Sequence, residues 1–172
     1  MKIRRLLIFV ILAFIFNNGI TAQVQTEKVE SEINILEFPE QTGSVNDFEN
    51  IFTDKQITQL TKLLTYYKEN SNREIVVITI DSIPVNEQFD QFSIKMSEAW
   101  GVGKENDGNG LTIVLSIALR KIRISTTDKT RYALPDEFCL EVINEYIIPE
   151  FKKKEYYKGL LSGINELIRE WR

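Results

Sequence analysis

The segment LTIVLSIALRKIRIST, residues 111–126, gives the main indication of the fold class. Its first half, Leu111 to Ile117, is β-branched and almost wholly apolar, which predicts a strand buried on both faces of a sheet. Its second half, Lys121 to Thr126, alternates basic and apolar residues, which predicts a strand with one wet face. A tight turn near residues 118–121 joins the two halves. We therefore predict a β-hairpin in which the first strand is the more buried.

A second buried strand is predicted for EIVVITI, residues 74–80, which has the same apolar and β-branched character. Helical patterns flank both strands, over residues 53–72, 86–100, 135–149 and 156–171. The first helix opens with a capping box, Thr53 with Gln56. The third begins at Pro135 and is predicted to end at Pro149. This order of elements indicates an α/β fold, a three-layer sandwich with a central mixed β-sheet and helices on both faces.

The N-terminus has the layout of a secretory signal peptide. Lys2, Arg4 and Arg5 precede an unbroken apolar run of 11 residues, 6–16, and cleavage is predicted near Ala22. This run is short for a membrane span, which takes roughly 20 residues. We therefore expect an exported protein, periplasmic or secreted, and a membrane anchor formed by an uncleaved signal is the alternative. The predicted organisation is a signal peptide, 1–22, a flexible N-terminal arm, 23–38, and a single domain, 39–172.

The composition excludes several kinds of chemistry. The formal charge of −4 becomes −7 without residues 1–22, so we expect no nucleic-acid binding by bulk electrostatics. The chain has no histidine, which removes the Ser-His-Asp triad and histidine-ligated zinc. Cys139 is the only cysteine, so no intrachain disulfide forms, and we expect a buried small hydrophobe there. Any bound metal would need oxygen ligands, which suit calcium or magnesium.

Four sequence motifs, in the same order and spacing, resemble those of the TPM domain family. WGVGKENDGNGLTIVLSIALRKIRI is similar to the central signature of the family, VNDFENIFT to its opening motif, LPDEF to the start of its third helix, and IIPEFKKKEYYKGLLSGINEL to its C-terminal pattern. The residues that carry the resemblance are Asp47, Trp100, Gly101, Gly103, Asn109, Gly110, Arg120, Asp136, Pro149, Phe151, Tyr156, Gly159 and Gly163. The match runs from about Pro39 to Ile168.

The resemblance implies a limited set of functions. Plant members of the thylakoid lumen resemble acid phosphatases, calcium binding is associated with the fold, and other members resemble auxiliary partners of membrane receptors. Bacterial exported members mostly lack an assigned activity. The chain departs from the family at Ser125–Arg131, where many members have a Gly-x-Gly turn. Without these glycines the backbone loses easy access to positive φ, so we expect a differently shaped loop there.

A divalent-cation site is the first functional hypothesis. Asp47 and Asp136 fall on acidic positions of the family pattern, and Asp107 lies one residue before the position where many members have an acid. If these loops converge, the three carboxylates and Asn109 would bind calcium in preference to magnesium. The site is not an EF-hand, because the required alternation of oxygen ligands is absent. The alternative is that each acid only caps a turn or complements a helix dipole.

Three function classes remain open at this point. The preferred one is a calcium-binding exported domain that interacts with a membrane or envelope protein partner. The enzyme alternative is a metal-assisted acid phosphatase, in which Arg120, Arg123 or Arg131 contacts the phosphoryl group. Of these three, Arg120 is the one at the family position. For Arg120, a solvated charge or a structural ion pair at the hairpin is the competing interpretation. The third class is a structural envelope domain without a ligand.

Overall fold

One four-stranded mixed sheet organises the part of the chain that the computed structural model describes, residues 38–172. The strands follow the order β1-β2-β3-β4, where β1 is Val45–Asp47, β2 is Glu74–Thr79, β3 is Gly110–Ser116 and β4 is Lys121–Thr126. The first three strands are parallel to one another, and β4 pairs antiparallel with β3 as the predicted hairpin. The predicted signal peptide lies outside the described residues, as does the predicted arm except for Phe38.

Six helical segments surround the sheet in these residues. They are α1 (Asp54–Ser71), α2 (Phe89–Trp100), α3 (Asp128–Arg131), α4 (Asp136–Val142), α5 (Ile148–Phe151) and α6 (Tyr156–Glu170). A 3₁₀ turn at Lys104–Asn106 follows α2, and a π turn at Ile143–Ile147 joins α4 to α5. No helix within residues 38–172 is long and apolar enough to cross a membrane.

The helices cover both faces of the sheet, so the predicted three-layer sandwich is confirmed. On one face Leu111 and Ile113 of β3 pack in the main core with α1, α4 and α6. Thr112 points to the opposite face because successive strand residues alternate. There its hydroxyl lies 2.6 Å from the Ser97 hydroxyl of α2. Phe92 and Met96 of α2 are also buried on this second face.

Local sequence signals explain how α1 begins. The Thr53 hydroxyl accepts the backbone N–H of Gln56, and the Gln56 side chain accepts the N–H of Thr53, as the capping box predicted. The chain leaves α1 through Asn72, whose left-handed φ of 53° turns it toward β2. The capping box therefore defines the start of α1, and Asn72 defines its end.

The predicted end of the third helix at Pro149 is wrong. Proline has no N–H to offer the carbonyl four residues earlier, and its ring would collide with that carbonyl. The chain widens into the π turn Ile143–Ile147 and continues helically through Pro149 to Phe151. Gly163 of α6 packs against this turn, and a Cβ there would lie 2.5 Å from Cγ1 of Ile147.

Candidate functional site

The glycine-rich loop after α2 lies at the edge of the sheet where β2 and β3 begin. Glu74, the first residue of β2, pairs in register with Gly110, the first residue of β3. A Cβ on Gly103 would lie only 2.5 Å from the Cα of Gly110. Gly103 also has a φ of 85°, a left-handed value that favours glycine. The two glycines therefore allow a close approach of two backbone segments.

A hydrogen-bond network holds this loop against the end of α1. The N–H of Gly103 donates to Oε2 of Glu74 at 2.7 Å. The Asn72 side chain donates to Oδ2 of Asp107 at 2.8 Å and accepts from Nδ2 of Asn106 at 3.0 Å. The carboxylate of Asp107, a predicted metal ligand, therefore already has a donor within the protein.

Asn109, the second predicted metal ligand in this loop, also takes part in the hydrogen-bond network. Its Nδ2 donates to the carbonyl of Asn106 at 2.8 Å. The Lys129 ammonium donates to the carbonyl of Asp107 at 3.0 Å. Asn106 is only 5% exposed, and its Oδ1 is buried without a hydrogen-bond partner among the described residues. The structure therefore brings Asp107 and Asn109 into one loop, with a lysine beside them.

Asp47, at the end of β1, has both carboxylate oxygens occupied by neighbouring donors. Oδ1 accepts from the Ile51 N–H at 3.1 Å and from the Thr79 hydroxyl at 2.5 Å. Oδ2 accepts from the Phe52 N–H at 2.9 Å. This carboxylate closes the turn that leads from β1 into α1.

The strand register keeps Asp47 away from Asp107. Asp47 pairs with Thr79 at the end of β2, whereas Gly110, three residues after Asp107, pairs with Glu74 at its start. Five residues of strand separate these two pairs, roughly 17 Å at about 3.3 Å per residue. The four predicted ligands therefore do not meet in one site. Within residues 38–172, no three Asp, Glu or Cys side chains form a group that could hold a metal ion.

Asp136 begins α4 and lines a cavity of about 410 Å³, which we call the polar cavity because most of its lining residues are polar or charged. Its Oδ1 lies 3.7 Å from Nε of Arg131, and Nη1 of Arg131 lies 3.4 Å from Oδ1 of Asp128. The guanidinium therefore offsets the charge of both carboxylates. All three side chains are exposed, so each pair contributes at most about 1 kcal/mol. Lys104 and Arg123 line the same cavity.

Arg120, the predicted phosphate contact, lies in the turn between β3 and β4 with a left-handed φ of 54°. In this turn the backbone N–H groups of Ile117 and Ala118 donate to the Glu49 carboxylate, at 2.9 and 2.7 Å. The Glu49 carboxylate thus already occupies the backbone N–H groups that could otherwise bind a phosphate. Arg120 precedes β4, whereas the polar cavity lies along the later residues of that strand. Arg120 is therefore not part of the cavity.

A second cavity, of about 260 Å³, lies beside the first along β4. Its lining residues are Asp90, Ile122, Arg123, Ile124, Asp136, Cys139, Leu140 and Ile143. Arg123 and Asp136 line both cavities. We call the two cavities together the β4 groove. One wall of the groove comes from α2 and the other from α3 and α4, so the groove follows the side of β4 that faces away from β3.

The Cys139 side chain packs in the wall of the smaller cavity of the β4 groove. The thiol is buried, and burial together with the negative charge of Asp136 raises the pKa of Cys139 to about 11. At neutral pH the thiol is therefore protonated and is a poor nucleophile. This agrees with the small buried hydrophobe predicted from its apolar neighbours.

Sequence reasoning did not identify the β4 groove as a site. The alternation in KIRIST indicates one wet face, but it does not reveal which strand lies at the edge of the sheet. That information depends on the pairing of β1 with β2, which joins residues about 30 positions apart. The short Val45–Asp47 segment has no strand signal of its own, because three residues are too few to establish a period.

The fold and the groove define a three-layer α/β domain whose sheet ends at β4 beside two cavities. The family model of the TPM domain matches residues 45–170, and the chain belongs to this family. Among the residues that carried the resemblance in the sequence, Gly103 and Gly110 allow the close backbone contact described above.

Three solved structures are similar to this chain. The N-terminal domain of a P. gingivalis protein is 28% identical, with a TM-score of 0.68, and the match covers 75% of this chain and 82% of that one. The N-terminal domain of a Corynebacterium glutamicum protein is 17% identical, with a TM-score of 0.59 and coverages of 79% and 85%. BA42 protein from Bizionia argentinensis is 18% identical, with a TM-score of 0.59 and coverages of 73% and 88%. The last two similarities concern the fold alone. No curated protein gave a match.

Proposed function

We propose that this TPM domain is an exported interaction module that binds an extended segment of a membrane or envelope protein along the β4 groove. The observation that carries the proposal is the unpaired backbone edge of β4. Within residues 38–172 the sheet ends at β4, and no further strand pairs with it. An unpaired strand edge is a template for another strand, and peptide-binding domains use such edges.

The hydrogen-bond pattern of the hairpin identifies the residues that face outward. The N–H of Thr127 donates to the Gly110 carbonyl at 3.0 Å, directly beyond the last pair of the ladder. Hydrogen-bonded and non-hydrogen-bonded pairs alternate in antiparallel strands, so the backbone groups of Ile122, Ile124 and Thr126 point away from β3. A segment in the groove would find donors and acceptors on these three residues.

The walls of the groove favour one extended segment over a broad flat partner. The groove lies between α2 on one side and α3 and α4 on the other, with β4 between them. A strand lies about 4.8 Å from its neighbour, and we propose that a single extended segment occupies this space beside β4. The combined cavities also contain polar and apolar parts, which would select the side chains of the segment.

A displayed library of random heptapeptides tests the proposal with the chain from Gln23 onward, the predicted mature protein. Selected peptides should shift the amide NMR signals of Ile122, Ile124 and Thr126 more than those of β1. Shifts confined to the opposite edge of the sheet, or no enrichment of any peptide, would contradict the proposal.

A proline variant sharpens this test. Ile122→Pro removes an N–H that faces the groove and leaves the β3–β4 ladder intact. Ile122→Ala is the matched control, because it loses the side chain but keeps the N–H. The proline variant should bind a selected peptide about three- to tenfold more weakly than the alanine variant, the effect of one lost hydrogen bond. Equal affinity of the two variants would exclude backbone pairing at this residue.

Calcium binding stays a prediction, and the positions of its residues restrict where it would occur. One place is the loop of Asp107 and Asn109, and the other is the polar cavity beside Asp136. In the cavity Arg131 competes with a cation for the Asp136 carboxylate. Arg131→Gln should therefore strengthen calcium binding there, and an NMR titration would detect it. Shifts around Asp107 alone would assign the cation to the loop, and no shift at millimolar calcium would remove the hypothesis.

One group of charged side chains supports the acid phosphatase alternative. Lys104, Arg123 and Arg131 all line the polar cavity with Asp136, and cationic side chains bind phosphoryl oxygens. Hydrolysis of 4-nitrophenyl phosphate tests this alternative, and Asp136→Asn should lower the rate if the cavity is the catalytic site. A rate at the buffer level in the unmodified protein would exclude it. A domain without a ligand, the third class, would give negative results in all these assays.

A further inference from the structure

We infer that the segment bound by the β4 groove alternates acidic with apolar side chains, an inference that rests on the proposed binding of an extended segment. Side chains of paired strands lie beside one another on the same face of a sheet. The two faces of β4 differ in charge and polarity, so each face selects different side chains from its neighbour.

The charged residues that β4 itself contributes to the face toward α2 are basic, whereas α2 contributes Asp90 and Glu98 to the cavities beside them. Arg123 lies on this face, because its guanidinium is 3.9 Å from the Asp90 carboxylate of α2. Lys121 lies two residues earlier on the same strand and therefore points to the same side. Lys121 is exposed and makes no ion pair among the described residues. An acidic side chain on the neighbouring strand would lie within reach of both cations.

Arg123 has donors to spare for an incoming carboxylate. Its side chain is 30% exposed, and its Nε donates to the Ser125 hydroxyl at 3.1 Å. A guanidinium carries five N–H donors, so this bond leaves four. The contact with Asp90 is long, and the Asp90 side chain is 65% exposed. Asp90 therefore stays hydrated and does not saturate Arg123.

The opposite face of β4 is apolar. Ile122 and Ile124 point to this side and line the smaller cavity together with Leu140 and Ile143. Leu140 is 57% exposed, although leucine is among the residues that are most often buried. A valine or leucine from the bound segment would cover this side chain. Burial of apolar surface of this size favours binding and offsets part of the cost of ordering the segment.

The charge pattern disfavours a second copy of the chain as the occupant. Antiparallel pairing of two β4 strands about a two-fold axis keeps the same face of both strands on one side. Lys121 and Arg123 of both copies would then crowd onto that side. Like charges on adjacent strands are destabilising, and basic residues on an edge strand discourage this pairing. An acidic segment reverses the sign of these interactions.

Three capped heptapeptides test the inference, in which valine alternates with glutamate, glutamine or lysine. Each favourable charge pair should change affinity about threefold, so the glutamate peptide should bind about tenfold more tightly than the glutamine peptide. The lysine peptide should bind most weakly. The double variant Lys121→Glu, Arg123→Glu should reverse the order, and its amide NMR spectrum checks that it is folded.

The outcomes separate this inference from the proposed function. Equal affinity for the three peptides, with shifts at Ile122 and Ile124, would refute the acidic preference and leave the groove as the binding site. A preference for the lysine peptide would also refute it. No binding of any of the three, together with an unenriched peptide library, would refute the proposed function itself. Concentration-dependent self-association that requires Lys121 and Arg123 would favour a second copy and overturn the inference.

Discussion

Alanine in place of Gly103 should be the most damaging of three glycine substitutions, because two separate costs add there. The first is conformational, since the φ of 85° is a left-handed value that costs an L-residue about 1–2 kcal/mol. The second is steric, since the new Cβ would lie 2.5 Å from both the Cα and the N of Gly110. These are backbone atoms of a buried strand and cannot move aside cheaply. Overpacking of this kind costs about 1–3 kcal/mol, so the total is about 2–5 kcal/mol.

Two further glycines separate the conformational cost from the steric one. Gly108 has a φ of 78°, but its nearest atoms would be 3.8 Å from a new Cβ, so Gly108→Ala should cost only about 1–2 kcal/mol. Gly43 has no atom within 4 Å of a new Cβ and no positive φ. Gly43→Ala should therefore be neutral or stabilise the protein by up to about 1 kcal/mol, through the unfolded chain.

Urea unfolding of the three variants measures these free energies. The expected order of destabilisation is Gly103→Ala, then Gly108→Ala, then Gly43→Ala. A Gly103→Ala protein that unfolds within about 0.5 kcal/mol of the unmodified one would show that the loop relaxes away from β3. If Gly103→Ala lowers the free energy of unfolding no more than Gly108→Ala does, the predicted steric cost at Gly103 is refuted, but the conformational cost is not. Similar slopes of free energy against urea would show that the unfolded states are comparable.

Two further predictions concern the acid at the end of β1 and the buried thiol. Asp47→Ala removes the acceptor for two backbone N–H groups and the Thr79 hydroxyl, so it should lower the free energy of unfolding by about 2–4 kcal/mol. The loss should be equal with calcium and with a chelator in urea unfolding; a loss seen only with calcium would indicate a metal ligand. For Cys139, the folded pKa of about 11 lies above the unfolded value of about 8.5–9, so the unfolded state loses its proton first. This contribution to stability should be fully present below pH 8.5 and should fall by about 2–3 kcal/mol as pH rises toward 11. The unmodified protein should lose this stability relative to Cys139→Ala, and parallel pH curves for the two would contradict the assignment.

Local signals in the sequence predict most of the elements but not the site. The capping box at Thr53, the buried strands and the hairpin depend on neighbouring residues, and the structure contains all of them. The predicted cation site assumed that three loops meet at one rim of the sheet. In a parallel sheet, a loop that follows a strand and a loop that precedes one lie at opposite ends. Asp47 is the last residue of β1 and Asp107 precedes β3, so the strand direction separates them.

The glycine-free segment Ser125–Arg131 changes the chemistry of one end of the groove without changing the fold. It forms the short helix α3, capped by the Thr127 hydroxyl, which also donates to the carbonyl of Gly108. The Thr130 hydroxyl accepts the N–H of Gly110 at 3.0 Å, so two threonines fasten α3 to the glycine-rich loop. This attachment puts Arg131 beside Asp136. The Arg131 guanidinium then lies next to Asp136, the one predicted cation ligand that lines the groove. At that end of the groove the chain itself therefore supplies the positive charge beside Asp136.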